Sequence, residues 1–155
     1  MLATRVDDST GPHTWPWTGK SSRVRQQLML AATAQAPGLA RRATHEALAA
    51  WRVAHLEETA VLLVSELVTN AVRHASTGGS ALVLRLEAAG GWLRIEVHDA
   101  DPRMPQPRTP HVHEESGFGF VLLDALADKW GVRESTIGKA VWAELDTRQG
   151  SEPAA

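Results

Sequence analysis

The chain has 155 residues, which is enough for one domain of ordinary size and leaves little room for a second. Hydrophobic residues make up 43% and charged residues 22%, as in soluble globular proteins, and a net charge of -2 gives no general attraction to nucleic acid or acidic membranes. The absence of cysteine excludes disulfides, thiolate zinc sites and cysteine nucleophiles, and the lack of a long apolar run or a secretory signal predicts a cytoplasmic protein.

The first segment, residues 1–22, is rich in glycine, proline and serine and has no sustained hydrophobic period. This composition predicts a flexible N-terminal arm. Within it, the motif Trp15-Pro16-Trp17 has two interpretations: a segment that packs loosely on the domain, or an element that docks a partner.

A strand and two helices are predicted next. Arg23–Thr33 alternates in part and is followed by a predicted turn at Pro37-Gly38. Leu39–Val53 has apolar residues at helical spacing with arginines on the other side, which predicts an amphipathic helix. A second helix is predicted for Glu57–Ala75, ended by the glycine-rich residues that follow it.

A hairpin and a long loop follow the helices. Residues 81–97 predict two strands joined by a turn at Gly90-Gly91. Residues 101–115 contain four prolines, a density that is incompatible with a helix or a strand. A loop of this length inside a domain is usually functional or mobile.

The last predicted elements are a helix over Gly117–Ala127 and two strands, Trp130–Glu134 and Ala140–Asp146, followed by a polar tail. Strands that follow one another without helices between them favour a mixed, mostly antiparallel sheet. With helices on one face, this gives an α+β two-layer sandwich. We expect an arm over residues 1–22, one domain over 23–146 and a tail over 147–155.

Three polar features stand out from the predicted elements. Glu66 and Asn70 lie one turn apart on the second helix, although most such polar faces are simply solvated. Asp99 ends a strand, where a carboxylate is either a pocket acceptor or the start of an Asx turn. Gly117 and Gly119 open a helix, whose N-terminal amides can meet a phosphate. Each feature alone is weak.

Taken together, the features resemble the Bergerat-fold ATP-binding domain of gyrases and histidine kinases, and most of all the actinobacterial anti-sigma-factor serine/threonine kinases. The matching stretches are LAAWRV, VLLVSELVTNAVRHA, LRIEVHDADPRMP, ESGFGFVLLDALADKWGV and GKAVWAEL. They extend from about Arg23 to Leu145, which is most of the chain. The fold that the resemblance implies is the two-layer sandwich already predicted.

The resemblance also implies roles for residues on the second helix and at the strand end. Asn70 would ligate Mg²⁺ through its side-chain oxygen. Glu66 would act as the general base for the attacking hydroxyl group or water. Arg73 or His74 would steady the phosphates, and Asp99 would accept a hydrogen bond from the exocyclic amine of adenine.

The remaining implied site is the second glycine box. Gly117 and Gly119, with Phe118 between them, would lie against the phosphates of ATP, and residues 101–115 would form the ATP lid. The implied cofactors are ATP and Mg²⁺. The implied partners are a sigma factor, an anti-anti-sigma protein of the STAS type, or both, with a homodimer possible and no direct contact to nucleic acid or membrane.

The sequence departs from the family pattern in three places. Asp101 stands where the wider fold has glycine, two residues after the adenine carboxylate. Phe118 and Phe120 flank Gly119 where arginine or leucine is commoner, which could narrow the phosphate region. Ala140 replaces a threonine whose hydroxyl would support the adenine site, a loss of about 1 kcal/mol of binding.

The sequence is therefore compared with three functions. The first is a kinase that phosphorylates a serine or threonine of an antagonist protein, which the presence of Glu66 favours. The second is a non-catalytic ATP-binding module that sequesters a sigma factor or another regulator, which Ala140 and the bulky residues at 118 and 120 favour. A detached histidine-kinase domain is less consistent, because no helix pair carries a phosphoacceptor histidine. A zinc site at His111 and His113 lacks a third ligand of standard spacing, so a loop that happens to contain histidines is favoured.

Overall fold

The computed structural model describes residues 4–5, 23–75, 81–99, 118–135 and 138–148. The described elements are six strands and three α-helices. The strands are β1 (Thr4–Arg5), β2 (Val24–Ala31), β3 (Ala81–Ala89), β4 (Trp92–Asp99), β5 (Lys129–Ser135) and β6 (Gly138–Asp146). The helices are α1 (Ala36–Ala50), α2 (Glu57–His74) and α3 (Phe118–Leu126), with a short 3-10 turn at Ala54–Leu56 before α2.

The strands form one sheet in the order β1-β5-β6-β4-β3-β2. The neighbours are antiparallel except for β1 and β5, which are parallel. The apolar residues of the strands and helices form one shared core, so the helices cover one face of the sheet. The predicted α+β sandwich with a mixed, mostly antiparallel sheet is confirmed. Among the described residues, no helix combines the length and the apolar character needed to cross a membrane.

The core lies between the helices and alternate residues of the central strands. Successive strand side chains point to opposite faces, so each central strand gives every second residue to the core. The strand residues that do so include Leu82, Leu84, Leu86, Leu93, Ile95, Val97, Ala143 and Leu145, all 3% exposed or less. Helix α2 contributes the predicted apolar arc, with Leu63, Val64, Leu67, Val68 and Ala71 buried.

Helix α1 differs from its prediction at both ends. It begins at Ala36, so Pro37 and Gly38 lie in its first turn, and the predicted turn there is wrong. Proline is accepted in a first turn, because its ring presets φ and its missing N–H would have no partner there. The helix stops at Ala50, because Arg52 adopts a left-handed conformation with φ of 60°.

The other described elements agree with their predictions, except that Thr4–Arg5 of the predicted arm forms strand β1. The turn of the β3–β4 hairpin has φ of 55° at Gly90 and 87° at Gly91, as a type I′ turn requires. Strand β1 has no strand signal in the sequence and owes its place to pairing with β5. The predicted lid, the Trp15-Pro16-Trp17 motif, the candidate zinc ligands His111 and His113 and the last residues of the tail lie outside the described residues.

The face of the sheet opposite the helices is charged, and we call it the polar face. Its central residues are Arg94, Glu96, His98, Trp142 and Glu144, which come from β4 and β6. The Arg94 guanidinium donates to Glu96 and to Glu144, each at 2.9 Å, and its carbon lies 4.3 Å from the centre of the Trp142 ring. His98 places Nε2 3.3 Å from the Glu96 carboxylate, which can only accept, so this nitrogen carries the proton.

Glu96 is the acceptor at the centre of this network. Arg133 donates to it at 3.1 Å and Arg85 at 3.4 Å, in addition to Arg94 and His98. Burial opposes ionisation of Glu96, but the hydrogen bond from His98 and the charges of Arg94 and Arg133 outweigh it and hold its pKa far below the ordinary value. The carboxylate is therefore ionised wherever the protein is folded at ordinary pH.

Candidate functional site

Helix α2 carries the predicted catalytic and metal-binding residues on its partly exposed side. It packs on β4 and contacts both α1 and α3. Glu66 and Asn70 are half-buried and lie one turn apart, while Arg73 and His74 are exposed in the last turn. The predicted polar side of this helix therefore exists, next to the buried arc.

Asp99 is the last residue of β4 and lies on the helix side of the sheet, in phase with Val97. It is only 5% exposed. Its neighbour in the sheet is Lys139 at the start of β6, which is 6% exposed and places Nζ 3.7 Å from the Asp99 carboxylate. Two buried groups of opposite charge thus mark this end of the central strands.

Lys139 is a buried charged residue beside Asp99 that the sequence pattern does not single out. The residue predicted to support the adenine site next to Asp99 is Ala140, and the structure places Ala140 opposite His98, on the polar face. Because neighbouring strand residues point to opposite faces, Ala140 cannot support a ligand beside Asp99. The predicted cost of this alanine to the adenine site is therefore wrong. The sequence shows that a lysine follows Gly138 directly. That this lysine pairs with Asp99 can be seen only in the folded sheet.

The topology brings the predicted residues of three elements to one end of the sheet. Helix α2 ends at His74, and only six residues separate it from Ala81, the start of β3, which lies beside the end of β4. Just before α2, His55 places Nε2 2.6 Å from the carbonyl oxygen of Thr147, beside the β3–β4 turn at the opposite end of the sheet. The last turn of α2 therefore lies at the Asp99 end.

Helix α3 points the other way. It leads into β5, whose first residue Lys129 pairs with Glu144 near the far end of the sheet, so the N-terminus of α3 lies at the Asp99 end. Phe118 and Gly119 form its first turn, with Gly117 just outside the described residues. A helix N-terminus carries unpaired N–H groups and partial positive charge, which suit a phosphate.

A model of the histidine kinase-like ATPase domain matches residues 30–145, well over half of the chain. The chain belongs to this family. The resemblance that its motifs indicated is confirmed at that level, and because an ATPase domain binds ATP, the family identifies ATP as the cofactor of this one.

Two known proteins are similar to this ATPase domain. An uncharacterised protein of Streptomyces coelicolor is 37% identical over 83 residues, which cover 52% of this chain and 79% of that protein. The solved structure of the RsbU and RsbW domains of a Mycobacterium tuberculosis protein gives a TM-score of 0.59 at 21% identity, covering 79% of this chain and 32% of that one. The ATPase domain thus spans about a third of that protein, and this likeness shows a shared fold alone.

Proposed function

We propose that this ATPase domain binds Mg-ATP at the Asp99 end of the sheet and transfers the γ-phosphoryl group to a serine or threonine of a regulatory protein. The observation that carries the proposal is the convergence there of the last turn of α2, the end of β4 and the first turn of α3. Helix α2 carries Glu66, Asn70, Arg73 and His74, β4 ends at Asp99, and α3 begins with Phe118 and Gly119. We assign the ATP-binding unit to residues 23–146 and the protein to the cytoplasm.

The ends of the site would recognise the two ends of the nucleotide. The buried Asp99 carboxylate would accept a hydrogen bond from the exocyclic amine of adenine. The first turn of α3, with Gly117, Gly119 and the backbone of Phe118, would lie against the phosphates. Arg73 and His74, exposed in the last turn of α2, would add positive charge near them.

The donor set on α2 suits a magnesium ion. Asn70 and Glu66 offer an amide oxygen and a carboxylate one turn apart, and Mg²⁺ prefers oxygen ligands. It usually takes only one or two from a protein and shares the rest with water and substrate phosphates. Asn70 would hold the ion. When bound, Mg²⁺ supplies charge neutralisation for the phosphates.

The chain's part in the transfer is to orient the acceptor and take its proton. The acceptor hydroxyl oxygen forms a bond to the γ-phosphorus, the bond to the bridging oxygen breaks, and ADP leaves. The hydroxyl proton goes to the Glu66 carboxylate as general base. Glu66 is half-buried, so it remains accessible to a second protein that brings the hydroxyl group.

The partner classes follow from the resemblance to anti-sigma-factor kinases. An anti-anti-sigma protein of the STAS type would carry the acceptor serine or threonine, and a sigma factor would be the protein held in check. The small net charge of -2 is consistent with a domain that acts on proteins. A homodimer of this chain would provide two such sites.

A second candidate is a non-catalytic module that binds ATP and sequesters a regulator. The ion pair between Asp99 and Lys139 favours it, because the adenine amine must share a carboxylate that an ammonium group already engages at 3.7 Å. Competition of this kind lowers nucleotide affinity without affecting a protein-binding surface. The module would keep its Mg²⁺ dependence but would show no turnover.

Calorimetric titration with ATP, with and without Mg²⁺, tests the nucleotide site. We expect Mg²⁺ to increase the affinity of the wild type, and Asn70→Ala to lose that increase while its metal-free affinity stays the same. Thr59→Ala is the matched control, since Thr59 lies on nearly the same side of α2, about 16 Å along the helix axis. Failure to bind millimolar ATP in either condition would refute the proposed site.

Phosphoryl transfer from γ-labelled ATP to a STAS-type protein separates the two candidates. A kinase should label the acceptor, and Glu66→Gln should slow labelling by roughly 10²- to 10⁴-fold while ATP affinity changes little. The control is Glu58→Gln, an exposed carboxylate in the first turn of the same helix. ATP binding without any labelling by the wild type would favour the module. Equal labelling by Glu66→Gln would rule out the assigned base.

A further inference from the structure

The Asp99 end of the sheet carries a hydrogen-bond acceptor and a donor side by side. Asp99 on β4 and Lys139 on β6 are direct cross-strand partners, with side chains 7% and 8% exposed. Nζ of Lys139 lies 3.7 Å from the Asp99 carboxylate. The next pair on the same face, Val97 and Val141, packs with the core, so the register of the two strands fixes the position of both groups. A ligand that reaches the Asp99 carboxylate therefore meets the ammonium group of Lys139 as well.

A carboxylate alone distinguishes sharply between the two common purines. An ionised carboxylate can only accept hydrogen bonds. The group at carbon 6 is an amine in adenine, which donates, and an oxygen in guanine, which accepts. An oxygen placed against a buried carboxylate leaves both acceptors unpaired. Sites built on one such hydrogen bond reject the analogue that lacks it by roughly 10⁴- to 10⁵-fold, so Asp99 by itself predicts binding of 6-aminopurines only.

The ammonium group of Lys139 changes which bases this pair can recognise. It offers three donors and no acceptor. With adenine, the 6-amino group would donate to Asp99, and ring nitrogen 1 would accept from Lys139. With a 6-oxopurine, oxygen 6 would accept from Lys139, and the N1–H group would donate to Asp99. Because these are neighbouring positions of the base, one set of bonds is exchanged for the other when the base shifts by one position along the pair.

We propose that Lys139 is a specificity-determining residue and that, together with Asp99, it lets the site take 6-oxopurine nucleotides such as ITP and GTP in addition to ATP. This inference rests on the nucleotide site proposed above at the Asp99 end of the sheet. The triphosphate groups are the same in all three nucleotides and create no preference among them. Discrimination at carbon 6 therefore depends on this pair, which supplies a partner for an amine and for an oxygen.

ATP and ITP depend on Lys139 to different extents. For ATP, the ammonium group competes with the amine for the Asp99 carboxylate but donates to the ring, and these two effects oppose each other. For ITP, Lys139 is the donor to oxygen 6, and its removal leaves that oxygen facing a carboxylate. The ratio of the two affinities therefore reports on base recognition, whereas a purely structural role of Lys139 would affect both nucleotides alike.

Calorimetric titration of the full-length chain with ATP, ITP and GTP in the presence of Mg²⁺ is the first test. ITP differs from ATP only at the edge of the base formed by positions 1 and 6, so it isolates the contacts to the pair. We expect ITP and GTP to bind within about tenfold of ATP. If ATP binds and both 6-oxopurines bind more than about 100-fold more weakly, the inference is wrong and the nucleotide site stands. If no nucleotide binds, the proposed site fails and the inference fails with it.

Substitution of Lys139 is the second test. Lys139→Met keeps a long unbranched side chain without donors, and we expect it to weaken ITP binding roughly 10²-fold or more while ATP affinity changes less than about threefold. Retained ATP binding also shows that the variant is folded. Lys139→Gln, whose amide can still donate, should keep ITP binding within about tenfold of the wild type.

Lys129→Met is the matched control, because Lys129 is exposed and pairs with Glu144 near the far end of the sheet. It should leave the affinities for both nucleotides unchanged. Equal losses of ATP and ITP binding in Lys139→Met would assign Lys139 a structural role and overturn the inference. Unchanged ITP binding in Lys139→Met would overturn it as well. If that variant does not fold, the wild-type series and Lys139→Gln still decide, and a loss of ITP binding by the glutamine variant equal to its loss of ATP binding counts against the inference.

Discussion

Position 131 must be a glycine because the indole ring of Trp142 lies against it. A Cβ atom at this position would come 2.8 Å from Cζ2 and 2.9 Å from Nε1 of Trp142, which is itself 1% exposed. The rigid indole can move only by disturbing Arg94, stacked 4.3 Å from its centre. We therefore expect Gly131→Ala to lower the free energy of unfolding by about 1–3 kcal/mol, measured by urea titration.

Gly38 provides the opposite control for the same chemical change. A Cβ atom there meets nothing closer than 3.7 Å, and the residue lies in the first turn of α1. Gly38→Ala should be neutral or stabilise the protein by up to about 1 kcal/mol. A Gly131→Ala protein as stable as the wild type would show that the indole does not occupy this position.

Single residues were also where sequence reasoning was weakest. A carboxylate at a strand end is visible in the sequence, so Asp99 could be predicted as a candidate, and the structure shows that it is buried. It could not identify Lys139, because the pairing of residues 99 and 139 depends on the register of two strands far apart in sequence. The same register moved Ala140 to the other face.

At the level of elements, the end of α1 depends on one strained residue. Arg52 N–H donates to the Ala49 carbonyl at 3.3 Å and Val53 N–H to the Leu48 carbonyl at 2.9 Å, the two bonds of a Schellman motif. The motif needs a left-handed residue, and Arg52 supplies it with φ of 60°, a conformation that costs a residue with a side chain about 1–2 kcal/mol. Glycine has no such cost but loses more entropy on folding.

We expect Arg52→Gly to raise the free energy of unfolding by about 0.5–1 kcal/mol, measured by chemical or thermal unfolding. Arg52→Ala is the control, because it removes the same side chain and keeps the unfavourable left-handed backbone. If alanine and glycine stabilised the protein equally, the side chain of Arg52 and not its conformation would be responsible.

The elements with a strong local pattern were the ones that the sequence predicted well. Helix α2 and the β3–β4 hairpin have clear periodicity and clear ends, and both match their predictions closely. The turn predicted at Pro37-Gly38 failed, because proline is as suitable for a first helical turn as for a loop, and packing of Ala36 and Ala40 into the core decided between them. Strand β1 has two residues and no local signal at all.

At the scale of the whole molecule, the two faces of the sheet differ in composition and in proposed role. The helix face holds the apolar core and, at one end, the residues proposed for ATP. The polar face holds a connected set of ion pairs. From the sequence, the alternation of strand residues indicates only that this side of the strands is polar. That these charges are buried could not be predicted from the strands alone, since it depends on what covers them.

Glu96 makes this network a source of pH-dependent stability. Its pKa is lowered in the folded state, so its contribution is complete above the ordinary carboxyl pKa of about 4.3 and is lost as the pH falls below that value. Replacing it leaves Arg94, Arg133 and Arg85 facing one another with less compensation. We expect Glu96→Gln to cost about 3–5 kcal/mol of unfolding free energy at pH 7.

Urea titrations between pH 7 and pH 3 test both the size and the sign of this contribution. The difference between wild type and Glu96→Gln should be constant down to about pH 5 and should shrink as the pH falls further, because only the wild type loses an ionised carboxylate. Glu134→Gln, an exposed carboxylate on β5, should differ from the wild type by no more than about 0.5 kcal/mol at pH 7. A difference for Glu96→Gln that stayed constant to pH 3 would mean that the network is held by packing of Arg94 on Trp142 and not by the charge of Glu96.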